Sequence, residues 1–317
     1  MICKRKEIKN CSYLRVVNGA IFCDINGVCY MNWEKTQIPE DTIIFCYQKR
    51  TYFYLENELY EILLNGRLKK IIDFCPSSYI EPIENYYLVF NRISRKEKSY
   101  KLIDCNKNTI WLDKINWGYK VVKNLLFLFE NDNKLSFINV KAGSPLWSYT
   151  LPEGFKIFGQ IQVIENMLFF TAVDKGFNNS KLIALDIVSG NEKWEIDDAI
   201  FYQIDIEKKL LLGYSIKRYE VVEPFLGKKI VQKNMMEYYD KGLSPVSTNN
   251  TIANGKLWFV SGRGKNVKFG YINIETSEIG LIQDFPLEND AQLDKPVYHN
   301  GQLYLLDSNN NLHIFEE

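Results

Sequence analysis

The stretch that decides the fold is Lys181–Trp194, KLIALDIVSGNEKW, read together with Lys134–Trp147, KLSFINVKAGSPLW. Both segments begin with Lys-Leu, carry Leu or Ile at the fifth position and Asp or Asn at the sixth, and place Gly at the tenth and Trp at the fourteenth. A shortened copy runs from Lys101 to Trp111 and a diverged copy from Lys268 to Ile282. Self-similarity of this kind indicates a repeat architecture.

A β-rich run precedes each copy: NLLFLFE, NMLFFTA, GKLWFVS and GQLYLLD. Runs of this type are centred near residues 22, 53, 88, 127, 169, 212, 258 and 304, at spacings of 31 to 46 residues. Four short strands fit one such unit, which is the pattern of propeller blades, and helical periodicity is nearly absent. We expect one all-β domain over residues 1–317, a β-propeller of eight four-stranded antiparallel blades. Seven blades is the alternative, because the first two units are short.

Each recurring position of the repeat has a physical role. The Gly suits a tight turn between the third and fourth strands, where positive φ is often needed. Asp186 or Asn139, just before the turn, can accept hydrogen bonds from turn amides. Trp147 and Trp194 are expected to pack between neighbouring blades rather than to bind a ligand.

The last unit supplies too few strands, since QLYLLDS and NLHIFEE provide two strands after KPVYHN and the given sequence then stops at Glu317. The N-terminus has a spare β-run in KRKEIKN. Pairing the first and last segments would remove the open edges of the ring. We therefore expect residues near 4–10 to complete the last blade.

Seven cysteines lie at positions 3, 11, 23, 29, 46, 75 and 105, with no C-x-x-C motif. Cys23 and Cys29 flank an Asn26-Gly27 hairpin turn as a diagonal pair on opposite faces, which argues against a disulfide. Reduced, buried thiols fit a cytoplasmic protein. We also expect no signal peptide and no membrane-spanning segment, since no long apolar run occurs.

The pattern K-L-x-A-L-D-x-x-x-G-x-x-x-W resembles the PQQ-like, or quinoprotein-type, propeller repeat, matched here by Leu182, Ala184, Leu185, Asp186, Gly190 and Trp194. The resemblance implies an eight-bladed ring. Enzymes of that family use adjacent cysteines, a calcium held by Glu, Asn and Asp, and a catalytic Asp. This chain has no adjacent cysteines, so we expect no quinone cofactor. Its nearest analogy is to non-enzymatic members, including the lipoprotein that assists outer-membrane barrel assembly, but it shows no lipobox.

Composition excludes several functional classes. The chain has 39 basic and 39 acidic residues, a balance that argues against nucleic-acid binding. His299 and His313 are the only histidines, and no Walker loop, nucleophile elbow or zinc-protease motif appears. We expect no catalytic residues, metal or cofactor. Cys3, Cys11 and His313 remain an alternative set of metal ligands. The acidic residues from Glu275 to Asp294 are expected to form a solvated face.

The candidate binding residues lie in the longest interruption between blades, Gln232–Thr248. Met235, Met236, Tyr238 and Tyr239 are apolar or aromatic groups in an otherwise polar segment, the kind that supplies interface hot spots. Packing on the outer blade surface is the alternative. In a four-stranded blade this segment shares one face with the loops around Arg92–Lys98, Asp174–Ser180 and Arg263–Lys268. Arg263 and Lys265 are therefore expected to add charge steering.

Two functions follow from these features. The first is a non-catalytic, cytoplasmic protein-binding scaffold with a protein partner of unknown identity, for which one candidate role is an immunity protein that neutralises a bacterial toxin. No nucleic-acid or membrane partner is expected. The second is an enzyme, a hydrolase or lyase, that uses a polar central channel.

Overall fold

The computed structural model describes residues 3–17, 19–39, 44–47, 50–55, 58–63, 67–73, 78–83, 85–92, 98–104, 106, 108–113, 118–122, 125–129, 133–200, 202–215, 217–240, 243 and 245–316. In these ranges the backbone forms 32 strands, one α-helix and one 3-10 turn, Gly264–Asn266. The helix, α1, spans Met236–Asp240.

The strands are β1 (Cys3–Ile8), β2 (Cys11–Val17), β3 (Ala20–Ile25), β4 (Val28–Met31), β5 (Glu34–Lys35), β6 (Ile44–Tyr47), β7 (Arg50–Leu55), β8 (Glu58–Ile62), β9 (Leu68–Asp73), β10 (Ser78–Ile83), β11 (Tyr86–Arg92), β12 (Lys98–Asp104), β13 (Thr109–Asp113), β14 (Gly118–Val122), β15 (Leu125–Phe129), β16 (Lys134–Ile138), β17 (Pro145–Thr150), β18 (Phe155–Ile164), β19 (Met167–Asp174), β20 (Ser180–Asp186), β21 (Glu192–Asp197), β22 (Tyr202–Asp205), β23 (Leu210–Tyr214), β24 (Arg218–Glu223), β25 (Lys228–Asn234), β26 (Pro245–Ala253), β27 (Lys256–Ser261), β28 (Lys268–Asn273), β29 (Ile279–Asp284), β30 (Val297–His299), β31 (Gln302–Leu306) and β32 (Leu312–Glu316).

These strands form eight four-stranded antiparallel sheets, the blades of an eight-bladed propeller. Blade 1 is β2–β5, the next six blades follow in fours, and blade 8 is β30, β31, β32 and β1. First strands of neighbouring blades contact one another, as β18 does β22 and β22 does β26, so they line the axis. The predicted fold and blade number are confirmed, and every predicted strand centre falls in the second strand of a blade.

The ring closes through β1. Cys3 pairs with Glu316 and Ile8 pairs with Leu312, so the N-terminal strand becomes the outer strand of blade 8. The amide of Cys11 then donates to the carbonyl of Asn310 at 2.8 Å. The predicted closure by residues near 4–10 is confirmed.

The apolar core lies between blades. In one cluster Phe127 and Leu135 of blade 4 pack with Leu168 and Phe170 of blade 5, all at most 1% exposed. Similar clusters join blades 6 and 7 and blades 8 and 1. An apolar blade face therefore escapes water only against its neighbour, which is why the repeat must close into a ring.

The turns follow the sequence expectation. Gly143 and Gly190 have φ of 69° and 72° in the turns between third and fourth strands. Asn139 Oδ1 accepts from the amide of Ala142 at 3.0 Å, and Asp186 Oδ1 accepts from that of Ser189 at 2.8 Å.

The hairpin at Asn26-Gly27 has the expected register, with Cys23 opposite Tyr30 and Asp24 opposite Cys29. Cys11, Cys23 and Cys29 are free and buried. The other cysteine side chains lie outside the described residues.

One sequence expectation about connections needs correction. Strand β25 continues to Asn234 and β26 begins at Pro245, so only 235–244 connects blades 6 and 7. The segment 285–296, between β29 and β30, is a longer connection. Among the helical residues that the structure describes, none belongs to a helix long and apolar enough to cross a membrane.

Candidate protein-binding face

Chain topology places the predicted binding residues on one face of the ring. In an antiparallel four-stranded blade, the connection to the next blade and the loop between second and third strands emerge on the same side. We call this side the connection face. Over blades 5 to 8 its described members include 174–180, 262–267, 285–296, 307–311 and α1 with Met235.

The segment around α1 is anchored by its first residue. The amide of Met235 donates to the carbonyl of Lys217 at 2.8 Å, and the Met235 side chain is 3% exposed within the core between blades 6 and 7. Tyr238 is partly buried against the same core. Burial raises the pKa of the Tyr238 hydroxyl, followed in effect by a hydrogen bond with Glu237. Met235 is therefore not accessible to a partner, which contradicts its predicted contact role. Tyr238 is partly accessible, and its buried part packs under the helical turn.

Met236 and Tyr239 point outward from the same turn of helix. Met236 is 36% exposed and Tyr239 is 45% exposed. Asn234 Oδ1 accepts from the amide of Met236 at 2.9 Å, which fixes the start of the helix. The turn thus presents two large apolar groups on a base held by Met235.

Arg263 and Lys265 are exposed on the loop that precedes β28. Gly264, with φ of +53°, donates its amide to the carbonyl of Ala291 at 2.7 Å, and its own carbonyl accepts from Leu287 at 2.9 Å. These bonds tie the loop to the connection 285–296. Arg263 and Lys265 share the connection face with Tyr239, but in the part of the chain that the structure describes no hydrogen bond or ion pair joins them to it.

Sequence reasoning missed an aromatic pair on the same face. Phe158 and Phe177 are 44% and 58% exposed, and their rings meet edge to face at 5.5 Å between centroids. The Lys156 ammonium lies 4.9 Å from the Phe177 ring centre. Phe177 has φ of 56°, a left-handed conformation that is unusual for a bulky residue. The sequence feature that could have indicated this pair is the single Phe in a polar turn, DKGFNNS.

Hydrogen bonds connect the loops between these two apolar groups. Ser180 Oγ donates to the carbonyl of Ala199 at 2.7 Å. Arg218 bonds both the side chain and the carbonyl of Asp198. Together with the bond from Met235 to Lys217, these links tie the loops of the connection face together from blade 5 to α1.

The opposite face also exposes apolar residues. Val188, Ile206 and Leu226 are 76%, 81% and 75% exposed at the tips of turns. Each tip is separate in sequence and belongs to a different turn. Phe225, next to Leu226, is also 40% exposed. No ring contact or cation–π contact between the described residues holds these side chains in place, so these turns serve as controls.

A cavity of about 640 Å³ lies against the first strands of blades 7, 8 and 1. Its lining includes Arg15, Asp294 and Lys295. Burial, and then the charge of Asp307, raises the pKa of Asp294. Burial lowers the pKa of Lys295. Both pKa values therefore move toward neutrality, a property that acid-base groups in active sites share.

The alternative metal ligands are engaged elsewhere. Cys11 Sγ donates to the carbonyl of Tyr13 at 3.3 Å, and burial raises the pKa of its thiol to about 11. His313 Nε2 lies 2.9 Å from Asp307 Oδ2. Among the described residues no group of three His, Cys, Asp or Glu side chains is arranged to hold a metal ion. The side chain of Cys3 lies outside the described residues.

Comparison with known proteins shows the fold alone. No family model and no curated protein matches the sequence. BamB from Moraxella catarrhalis is similar over 100% of both chains, with 11% identity and a TM-score of 0.64. Sqt1 from Saccharomyces cerevisiae has 9% identity and a TM-score of 0.60 over 99% of this chain and 97% of its own. AztD from Citrobacter koseri has 12% identity and a TM-score of 0.55, over 86% and 82%. At these identities the likenesses show the propeller fold, and the resemblance to the PQQ-like repeat stays a prediction.

Proposed function

We propose that the protein is a non-catalytic scaffold whose protein partner binds the connection face over blades 5 to 7. The observation that carries the proposal is the exposed pair Met236 and Tyr239 on a helical turn fixed from below by Met235. Tyr and Met bury large apolar area, and Tyr keeps a polar tip for the wet rim of an interface. Phe158 and Phe177 extend the same surface.

The pattern of support and exposure favours binding over simple packing. Interface hot spots are aromatic groups held in place before the partner arrives, because little side-chain entropy is then lost on binding. Tyr239 lies on a hydrogen-bonded turn. The Phe177 ring packs against the Phe158 ring, and the Lys156 ammonium lies over it. Arg263 and Lys265 on the neighbouring loop favour a partner with acidic groups at its rim.

The proposal includes a cytoplasmic location and, as one partner class, a secreted bacterial toxin that the scaffold neutralises. Buried free thiols at Cys11, Cys23 and Cys29 are consistent with a reducing compartment. Capture of the partner from the native cell, identified by mass spectrometry, tests the partner class, and fractionation of the same cells tests the location.

The binding surface is tested by Tyr239→Ala and Phe177→Ala. Each is expected to weaken binding of the captured partner by about 30-fold or more, the loss typical of a hot spot, without lowering Tm, because both side chains are largely exposed. Leu226→Ala, on the opposite face, is the matched control. Unchanged affinity in both aromatic variants, with folding intact, would exclude this surface.

A second candidate, an enzyme acting in the channel cavity, has one observation in its favour, the opposed pKa shifts of Asp294 and Lys295. Asp294→Asn and Lys295→Met separate the two functions. A scaffold keeps its partner affinity in both variants, whereas an enzyme loses turnover with its fold unchanged.

A further inference from the structure

The channel cavity, of about 640 Å³, is bordered by the last residues of the connection before β30, and these residues are held in place on both sides. The amide of Asp294 donates to the carbonyl of Leu306 at 2.9 Å. The hydroxyl of Thr251 in β26 donates to the carbonyl of Pro296. The backbone on either side of Lys295 is therefore tied to neighbouring strands, which fixes where the two charged residues begin.

The side chains of Asp294 and Lys295 are accessible but have no partner. Both residues are exposed, and both line the cavity. Among the described residues no hydrogen bond or ion pair involves either side chain, and none joins the two to each other. Burial nevertheless raises the pKa of Asp294 and lowers that of Lys295. A side chain that is both accessible and desolvated lies in a concave surface, so the two charges face the cavity rather than bulk solvent.

Arg15 of β2 adds a second cation to the same lining. Its Nη1 donates to the carbonyl of Ile44 at 3.1 Å, and its guanidinium lies 5.5 Å from the centre of the Tyr13 ring. A guanidinium has further N–H donors, and in the described part of the chain no carboxylate pairs with them. The described lining thus carries two cations and one carboxylate, and no ion pair joins any of them to another described residue.

We propose that the channel cavity binds a zwitterionic small molecule, an amino acid or a short peptide, whose ammonium pairs with Asp294 and whose carboxylate pairs with Lys295. A ligand of one charge would leave the other protein charge desolvated and without a partner, which costs free energy. A zwitterion provides both with charge-assisted hydrogen bonds. Arg15 strengthens the attraction for the carboxylate end.

The size and the remaining lining of the cavity fit such a ligand. A volume of about 640 Å³ is typical of small-molecule sites, which combine apolar walls with a few polar groups that orient the ligand. Tyr13, Pro296 and Val297 supply apolar surface for a side chain of the ligand. The inference concerns the channel and does not depend on the scaffold function of the connection face.

Calorimetric titration of the full chain with L-phenylalanine and with glycyl-phenylalanine tests the proposal. Saturable binding of one equivalent is expected, and the tighter of the two probes tells whether the ligand is an amino acid or a peptide. The N-acetyl derivative of that probe lacks the ammonium, and its amide derivative lacks the carboxylate. Each derivative should bind about tenfold more weakly, because one charge-assisted hydrogen bond is lost.

Two variants assign the charges separately. Asp294→Asn should remove the preference for the probe over its N-acetyl derivative and keep the preference over the amide. Lys295→Met should do the converse. Neither should lower Tm, because neither side chain has a partner among the described residues. The controls Glu207→Gln and Lys208→Met make the same charge changes at adjacent exposed residues of an opposite-face turn, and they should alter nothing.

The exchange of preferences between the two variants is a readout that a general charge effect or a structural role does not produce. Absence of saturable binding of both probes, retention of both preferences in both variants, or equal effects of the control variants would overturn the proposal.

Discussion

Two tryptophans explain why glycine is needed in the turns they cover. Trp147 Nε1 donates to the carbonyl of Ile187 at 2.7 Å, and its ring lies over Gly190 of the next blade. Trp194 repeats the arrangement, donating to Pro224 at 2.9 Å and covering Gly227. A Cβ at either glycine would lie 2.5 Å from a ring carbon of the tryptophan. The glycine therefore satisfies a close approach as well as a positive φ.

Blade 7 shows whether positive φ or the close approach of a tryptophan ring requires glycine at this turn position. Ser277 occupies the glycine position there with φ of 59°, so positive φ alone tolerates a side chain. The strand residue of blade 6 that corresponds to Trp194 is Val231, since it pairs with Val221 as Trp194 pairs with Ala184. In blades 5 and 6, glycine thus occupies this turn position where the preceding blade supplies a tryptophan. The sequence predicted the turn conformation and the packing of the tryptophans between blades, but which glycine each tryptophan covers is seen only in the ring.

Gly190→Ala is expected to destabilise the protein by about 3 kcal/mol, from left-handed strain and from overpacking against Trp147. Gly255→Ala is the matched control, because Gly255 has φ of +67° but no atom within 4 Å of the added Cβ. It should cost about 1 kcal/mol, the strain alone. Urea denaturation gives both values. In the background of Trp147→Val the cost of Gly190→Ala should fall to that of the control, and equal costs for the two glycines in the native background would contradict this account.

At the level of elements, strands were predictable and connections were not. Strand centres follow from runs of β-branched and aromatic residues, which the blade interior requires. The extent of β25 was missed because every second residue of KKIVQKN is exposed, so its polar end resembled a loop. The connection 285–296 was missed because it is held by backbone bonds, such as Gly264 to Ala291, which leave no side-chain pattern.

Strand β1 is expected to be indispensable to the ring. Deletion of residues 1–10 would expose the edge of β32 and remove Ile8 from the core between blades 8 and 1. We expect loss of cooperative unfolding or a Tm lower by about 10 °C or more. Thermal unfolding followed by circular dichroism measures this.

A circular permutant separates closure from other effects of the deletion. Cys3 lies opposite Glu316, so an Asn-Gly turn can join Glu316 to Cys3 and carry β1 at the new C-terminus. This permutant, which begins at Cys11, should reverse most of the decrease in Tm that the deletion causes. A deletion that melts with the full chain, or a folded permutant no more stable than the deletion, would show that closure by β1 is unimportant.

For the whole molecule, the sequence predicted the ring but only part of its surface. Blade number follows from repeat spacing, which survives divergence because each blade must match its neighbours. The candidate site depends on which side chains the ring brings to one face. Tyr239 was found as an aromatic residue in a long polar segment, whereas the contact between Phe158 and Phe177 joins a first strand to the loop after the second strand and is seen only in the folded blade.

The whole ring is also expected to be sensitive to alkali, because its interfaces bury ionisable groups. Burial raises the pKa of Cys11 to about 11 and that of Cys23 to about 12, from 9.0. It raises the pKa of Tyr100 and of Tyr219 to about 12, from 10.0. All four side chains are at most 1% exposed. In each case the unfolded chain releases its proton first, so the stabilising contribution is complete below the unfolded pKa and is lost as pH rises toward the folded value.

Stability should therefore be nearly flat from pH 7 to 8.5 and fall above pH 9, by on the order of 5 kcal/mol at pH 10.5 for these four groups together. Urea denaturation in a phosphine reductant measures the decline, and absorbance at 295 nm shows whether the buried tyrosines ionise only on unfolding. Cys23→Ala supplies the discriminating variant. It loses packing at every pH, but its decline between pH 8.5 and 10.5 should be smaller by about 2 kcal/mol, because one shifted thiol is gone. A decline of unchanged size in Cys23→Ala would mean that the alkaline instability arises from general charge repulsion rather than from the buried thiols.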